Sequence, residues 1–165
     1  MATKKVLGID PGTGICGFGV VRFTTHKQPR LITAGVITTP AHTPLADRLL
    51  DIYQSLEQII QETEPDEVAI EKLFFNTNIT TGITVAEARG VCILVARQHE
   101  IPIYEYTPLQ IKNTLTGYGR AKKHDMQEAV RKYLDMDKII KPDDAADAVA
   151  AAITHALSTR IQYRD

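Results

Sequence analysis

Short apolar runs that alternate with polar positions open this chain, and longer runs of helical period follow them. Residues 4 to 10 read as a buried strand that ends on a carboxylate, Asp10. Residues 15 to 24 and 30 to 38 continue as β segments joined by short Gly- and Pro-bearing connections, which predicts an antiparallel meander. From Thr43 the period lengthens: Leu45, Leu49, Ile52, Tyr53, Leu56, Ile59 and Ile60 fall on one helical stripe, with Thr43 as the expected cap and Pro65 beyond the end. Residues 67 to 71 then form a short strand, 79 to 99 a second long helix, 102 to 106 a strand and 107 to 115 a short helix. The loop Thr116-Gly117-Tyr118-Gly119-Arg120 leads to a helix over 122 to 134. Pro142-Asp143-Asp144 opens a last helix with Ala145, Ala148, Val149, Ala152, Ile153 and Ala156 on its apolar stripe.

Strands first and β-α-β alternation afterwards predict an α/β fold, a mixed five-stranded sheet flanked by helices, because parallel strands need helical crossovers on the sheet faces. Repeats, low-complexity tracts and linkers are missing from the sequence, so residues 1–165 are expected to form one domain, with the polar tail 159–165 frayed. The second long helix carries Gly82, Ala86 and Gly90 at intervals of four among many apolar residues. Such a helix is either buried on more than one side within the monomer or forms a two-fold interface.

Composition changes this picture little. With 165 residues, 44% hydrophobic and 24% charged, the chain suits a globular domain with a substantial core. No apolar stretch is expected to reach the roughly 18 residues that span a bilayer, and the N-terminus runs straight into a strand, so the expectation is a cytoplasmic protein with no membrane contact. Cys16 and Cys92 lie inside apolar segments and read as buried, reduced thiols. The formal charge of −1 argues at first against a polyanionic partner; two divalent ions would add four positive charges and leave +3, so the local distribution of charge decides.

The chemistry lies in four acids. Asp10 ends a strand just before Pro11-Gly12, Glu71 ends Glu67-Val68-Ala69-Ile70-Glu71, and Asp144 and Asp147 lie one helical turn apart at the start of the last helix. Two of these positions have a plainer reading: an Asx turn for Asp10, and helix capping for Asp143 or Asp144. Glu71 resists one, since Glu is a poor strand residue and an unpaired buried carboxylate costs several kcal/mol, by rough estimate. A shared cation would offset repulsion and desolvation together, and all-oxygen ligation suits Mg²⁺ or Mn²⁺. Two ions about 4 Å apart are the known arrangement for phosphodiester hydrolysis. His124 and His155 have no zinc-like spacing and are expected at the surface.

Gly8-Ile9-Asp10-Pro11-Gly12, Ala69-Ile70-Glu71-Lys72-Leu73-Phe74, Ala88-Arg89-Gly90 and Asp144-Ala145-Ala146-Asp147-Ala148 together resemble the RuvC Holliday-junction resolvases, nearly end to end and in order. The resemblance implies a ribonuclease-H-like fold and a homodimer. It also implies Mg²⁺-dependent endonuclease cleavage of two opposed strands in a four-way DNA junction during recombination and repair, in partnership with the RuvA and RuvB branch-migration proteins. The family's metal-binding, catalytic acids fall on Asp10, Glu71, Asp144 and Asp147; its third acid position takes Asp or His and is Asp here.

Lys112, Arg120, Lys122, Lys123 and His124 cluster around the glycine-flanked loop, where a solvated face and a phosphate-binding face are the two readings. Lys112 and Lys123 match basic positions that the family uses for DNA. Phe74 matches the aromatic it places near the junction, whereas Phe75 reads as core. The rivals are a ribonuclease-H-like nuclease acting on structured RNA, a fragment of an actin-like ATP-using enzyme, for which 165 residues leave no second half, and a junction protein that only binds.

Overall fold

The computed structural model describes residues 2–73 and 79–162, with side chains through Thr159. Its strands are β1 (Thr3–Asp10), β2 (Ile15–Thr24), β3 (Arg30–Thr38), β4 (Glu67–Glu71) and β5 (Ile103–Tyr106). Its helices are α1 (Leu45–Thr63), α2 (Ile79–Gln98), α3 (Pro108–Thr116), α4 (Lys123–Tyr133) and α5 (Asp143–Gln162). They form a five-stranded sheet of order β3-β2-β1-β4-β5. The first three strands pair antiparallel, while β1-β4 and β4-β5 pair parallel, giving the mixed sheet that the pattern predicts, in the ribonuclease-H-like arrangement that the resemblance implies.

Alternation along the strands assigns each face. Leu7 and Ile9 of β1, with Val68 and Ile70 of β4, pack under α1 and α2 beside Ile52, Leu56, Ala88, Cys92 and Val95. Val6 and Ala69 point the other way, into a core built with Ala145, Val149, Ala152 and Ile153 of α5. Gly8 belongs to this second face. A Cβ on Gly8 would lie 1.8 Å from the carbonyl oxygen of Ala148, and one on Gly17 would lie 2.0 Å from that of Asp144. Glycine on the sheet and alanine on the helix therefore let two backbones touch, which seats α5 directly on β1 and β2. The next residue of β1 on this face is Asp10.

Several local expectations change. Thr43 does not cap α1; its hydroxyl donates to the carbonyl of Pro40 at 2.5 Å, and Pro44 holds the cap position. Helix α5 continues through Gln162, with Ser158 and Thr159 bonding back to preceding carbonyls, so residues 159 to 162 are helical. His155 is fully buried rather than at the surface, held between a carboxylate and a phenol. Helix α2 is long and apolar enough to cross a bilayer by length and composition, contrary to the expectation that no stretch would be. Here it packs one face on the core through Ala88, Cys92, Val95 and Ala96. It leaves Ile79, Ile83 and Leu94 exposed, and among the described residues no atom outside the helix's own turns lies within 4 Å of where a Cβ on Gly90 would sit, so one side of α2 is uncovered by them. Cys16 and Cys92 are free and buried, with their sulfurs 3.9 Å apart.

Candidate active site

Asp10 and Glu71 are the last residues of adjacent parallel strands, paired as Ile9 with Ile70 just before them, so both carboxylates leave the sheet at the same edge. The glycine-lined seat of α5 brings its first turns to that edge. Carboxylate oxygens of Asp10, Asp144 and Asp147 then lie within 4.8 Å of one another, each residue half-buried. Glu71 stands beside them and shares a cleft of about 270 Å³ with Asp147, Lys112, Lys123, Pro108 and Met126. The structure thus brings together the acids expected from sequence, three with oxygens within 4.8 Å of one another and Glu71 beside them.

Their electrostatics show what is missing. Burial, then the charges of Glu71, Asp147 and Asp144, push the Asp10 carboxyl from an ordinary 3.8 up to about 8. Burial and Asp147 raise Glu71, against a smaller opposing effect of Lys112. Burial also raises Asp147, with Lys123 opposing and Asp144 and Asp143 adding to the rise. The two lysines are too few and too peripheral to balance the cluster. An all-oxygen, crowded, partly desolvated donor set of this kind fits a hard divalent cation, which supplies the missing positive charge at short range.

Asp143 does not join the cluster. Its carboxylate accepts from Gln127 Nε2 at 2.8 Å and pairs with Lys123 Nζ at 3.0 Å, tying α5 to α4. That leaves Asp144, the next residue, to face the sheet. Lys123 is thereby held at the cleft mouth, its ammonium stabilised chiefly by Asp143. Arg120 and Lys122 are exposed on the loop between α3 and α4, outside the cleft lining. Phe74 and Phe75 lie outside the described residues.

Two features escaped the sequence reading. Arg89, present in the quoted Ala88-Arg89-Gly90 motif without a role, donates from Nε to the main-chain carbonyl of Glu71 at 3.3 Å and pairs with the Glu105 carboxylate. Glu67, at the far end of β4 on the same face as Glu71, accepts from His155 Nε2 at 2.7 Å and pairs with Lys4, while Tyr106 Oη lies 2.6 Å from His155 Nδ1. The two-residue periodicity of β4 carried the signal for Glu67, because it places Glu67, Ala69 and Glu71 on one side.

Sheet order, strand-end carboxylates and a helix laid across them define a ribonuclease-H-like protein with an acidic cleft at the sheet edge. Residues 6–155 match the family described as crossover junction endodeoxyribonuclease RuvC. The chain is 50% identical over 161 residues to the crossover junction endodeoxyribonuclease RuvC of Desulfitobacterium hafniense, covering 96% of each, and 48% identical over 159 residues to that of Finegoldia magna, again covering 96% of each. Among solved structures it is similar to T. thermophilus RuvC in complex with Holliday junction substrate, at TM-score 0.91, 32% identity and 96% coverage of both chains. The yeast mitochondrial Holliday junction resolvase Ydc2, at 12% identity and TM-score 0.67, shares the fold. The chain belongs to the RuvC family.

Proposed function

We propose that this chain is an endodeoxyribonuclease that resolves four-way DNA junctions by paired, symmetric, metal-dependent nicks in recombination and repair. The observation that carries the reading is the convergence of Asp10, Asp144 and Asp147 within 4.8 Å beside Glu71, in a chain whose relatives are crossover junction endodeoxyribonucleases. Asp10, Glu71, Asp144 and Asp147 are the proposed metal-holding, catalytic acids, with Mg²⁺ as the ion, two per site, and Mn²⁺ as its substitute. Bound divalent ions supply an activated water and stabilise the leaving oxygen in such hydrolysis.

The chain's own groups prepare that chemistry. Burial and mutual repulsion raise the carboxyls of Asp10, Glu71 and Asp147, so a cation that binds among them competes with protons. Lys112 and Lys123 line the same cleft as Glu71 and Asp147 and meet a phosphodiester that enters it, which orients it toward the acids. Arg120 and Lys122 extend the basic surface along the flanking strand. Phe74 is the proposed stacking residue that holds a base pair open at the crossover.

A homodimer with α2 at its two-fold axis would bury Ile79, Ile83 and Leu94 and present two clefts to two equivalent strands. The whole chain, 1–165, serves as one nuclease domain in the cytoplasm, where RuvA and RuvB deliver the junction. Structured RNA is the less favoured substrate, given the family. The test incubates the protein with a mobile four-way DNA junction, a matched duplex and a structured RNA, with Mg²⁺ and with EDTA. Symmetric Mg²⁺-dependent nicks confined to the junction are expected; preferential RNA cutting, or junction binding without nicks, would refute the proposal.

A further inference from the structure

The Ala88-Arg89-Gly90 segment is part of the family resemblance, yet nothing in the acid cluster explains the arginine. Its position does. Arg89 is on α2, and its side chain is only 17% exposed. One edge of the guanidinium donates to the main-chain oxygen of Glu71 and another pairs with Glu105 of β5, which is in register with Ile70. The planar fork therefore bridges the ends of β4 and β5 at the residue whose carboxylate faces the cleft. A second polar contact joins the same helix to the other strand end: Thr13 Oγ1, just after Asp10, donates to the carbonyl of Thr84 on α2 at 2.8 Å. Helix α2 thus grips the chain at both strand-end acids from the face of the sheet opposite α5.

We propose that Arg89 is a positioning residue for the metal site, fixing the main chain of Glu71 so that its carboxylate meets the cation shared with Asp10, Asp144 and Asp147. This inference rests on the metal-dependent reading above. Glu71 ends its strand, so its aim depends on a backbone held on one side only by the sheet. Groups that orient metal ligands from behind are worth about 10- to 100-fold in metal affinity when removed. Lysine can satisfy one of the two partners but not both, because it lacks the fork.

The experiment measures Mn²⁺ binding by electron paramagnetic resonance, junction binding in EDTA, and melting temperature, for the wild-type protein and for Arg89→Gln, Arg89→Lys and Glu105→Gln. The expected result is Mn²⁺ binding weakened roughly 10-fold in Arg89→Gln and less in Arg89→Lys. Glu105→Gln, which keeps the contact to Glu71, should bind nearly as the wild type does, and junction affinity in EDTA should be unchanged in all three. Wild-type Mn²⁺ affinity in Arg89→Gln would overturn the inference. So would parallel losses of metal binding, junction binding and melting temperature, which would mark a merely structural arginine. If the wild-type protein itself binds no Mn²⁺, the metal-dependent reading fails and this inference fails with it.

Discussion

Glu67 and Glu71 sit at opposite ends of one five-residue strand, on the same face, under the same helix, yet their surroundings differ in sign. Burial opposes the ionisation of Glu67, but hydrogen bonds from Lys4 and His155 outweigh it and hold the carboxyl below its ordinary value. Burial raises Glu71 and Asp147 adds to it, with only a partial answer from Lys112. At one end of α5 the carboxylate is matched by the Lys4 ammonium and the His155 ring; at the other, four acids come together with too little positive charge. Burial alone therefore does not mark a functional acid. On the function proposed above, what marks it is a counter-charge that the protein withholds and a metal can supply.

The sharpest way to break the comparison is to neutralise one acid from each end. Asp10→Asn should abolish junction nicking while leaving junction binding in place, since the fold and the basic wall survive; an equal loss of binding and cutting would contradict the assigned role. The same variant should melt no lower than the wild-type protein without metal, because it removes repulsion. Glu67→Gln should do the reverse. It weakens the hydrogen bonds that Lys4 and His155 make to a buried carboxylate, and chemical denaturation should show a loss of about 1–3 kcal/mol. Nicking per folded molecule should persist at low temperature; a Glu67→Gln protein that is stable but inactive would erase the distinction drawn here.

The effect of pH is smaller and opposite at the two ends. Asp10 titrates near 3.8 when unfolded and at about 8 in the folded, metal-free chain, so the folded state holds the proton more tightly. Its contribution is intact below the lower value and is lost as pH rises toward the upper one. Metal-free stability should fall between pH 6 and pH 8 by about 1–2 kcal/mol, allowing for partial solvent screening. Saturating Mg²⁺ should flatten that slope. Glu67, held low, contributes stability that is present above its ordinary value of 4.5 and is lost as pH falls through its lower folded value. Melting scans from pH 3 to pH 9, with and without Mg²⁺, read both. An Asp10→Asn protein with an unaltered slope between pH 6 and 8 would remove Asp10 as its source.

The smallest effect belongs to the rim. Lys123 pairs with Asp143 through side chains that are 58% and 52% exposed, so Lys123→Ala should leave stability nearly unchanged. It should weaken junction affinity and reduce the log-log salt slope by about 0.9, the value for one neutralised phosphate. An unchanged slope would place Lys123 off the DNA path.

Much of this arrangement was legible in the chain because it follows from period and sign. Strand alternation put Asp10 and Glu71 at strand tips, and the Asp144–Asp147 spacing put both on one helix face. The compensating half was not legible. His155 looked like a surface histidine because its partners, Glu67 and Tyr106, are 88 and 49 residues away in sequence, and only the seating of α5 brings them together. The glycines behind that seating read locally as turn or strand residues; their role emerges only when Ala148 and Asp144 approach from a distant helix. Helix α2 left two readings open for a related reason, since an apolar circumference does not say which side a monomer covers.

The central claim is that the uncompensated acids form a cation seat, and crystals soaked in Mn²⁺ test it most directly through anomalous diffraction. The account predicts peaks bounded by the carboxylates of Asp10, Asp144 and Asp147 with Glu71 completing the shell, and no peak at Glu67. An empty cleft at saturating Mn²⁺, in a protein that still nicks junctions, would contradict it.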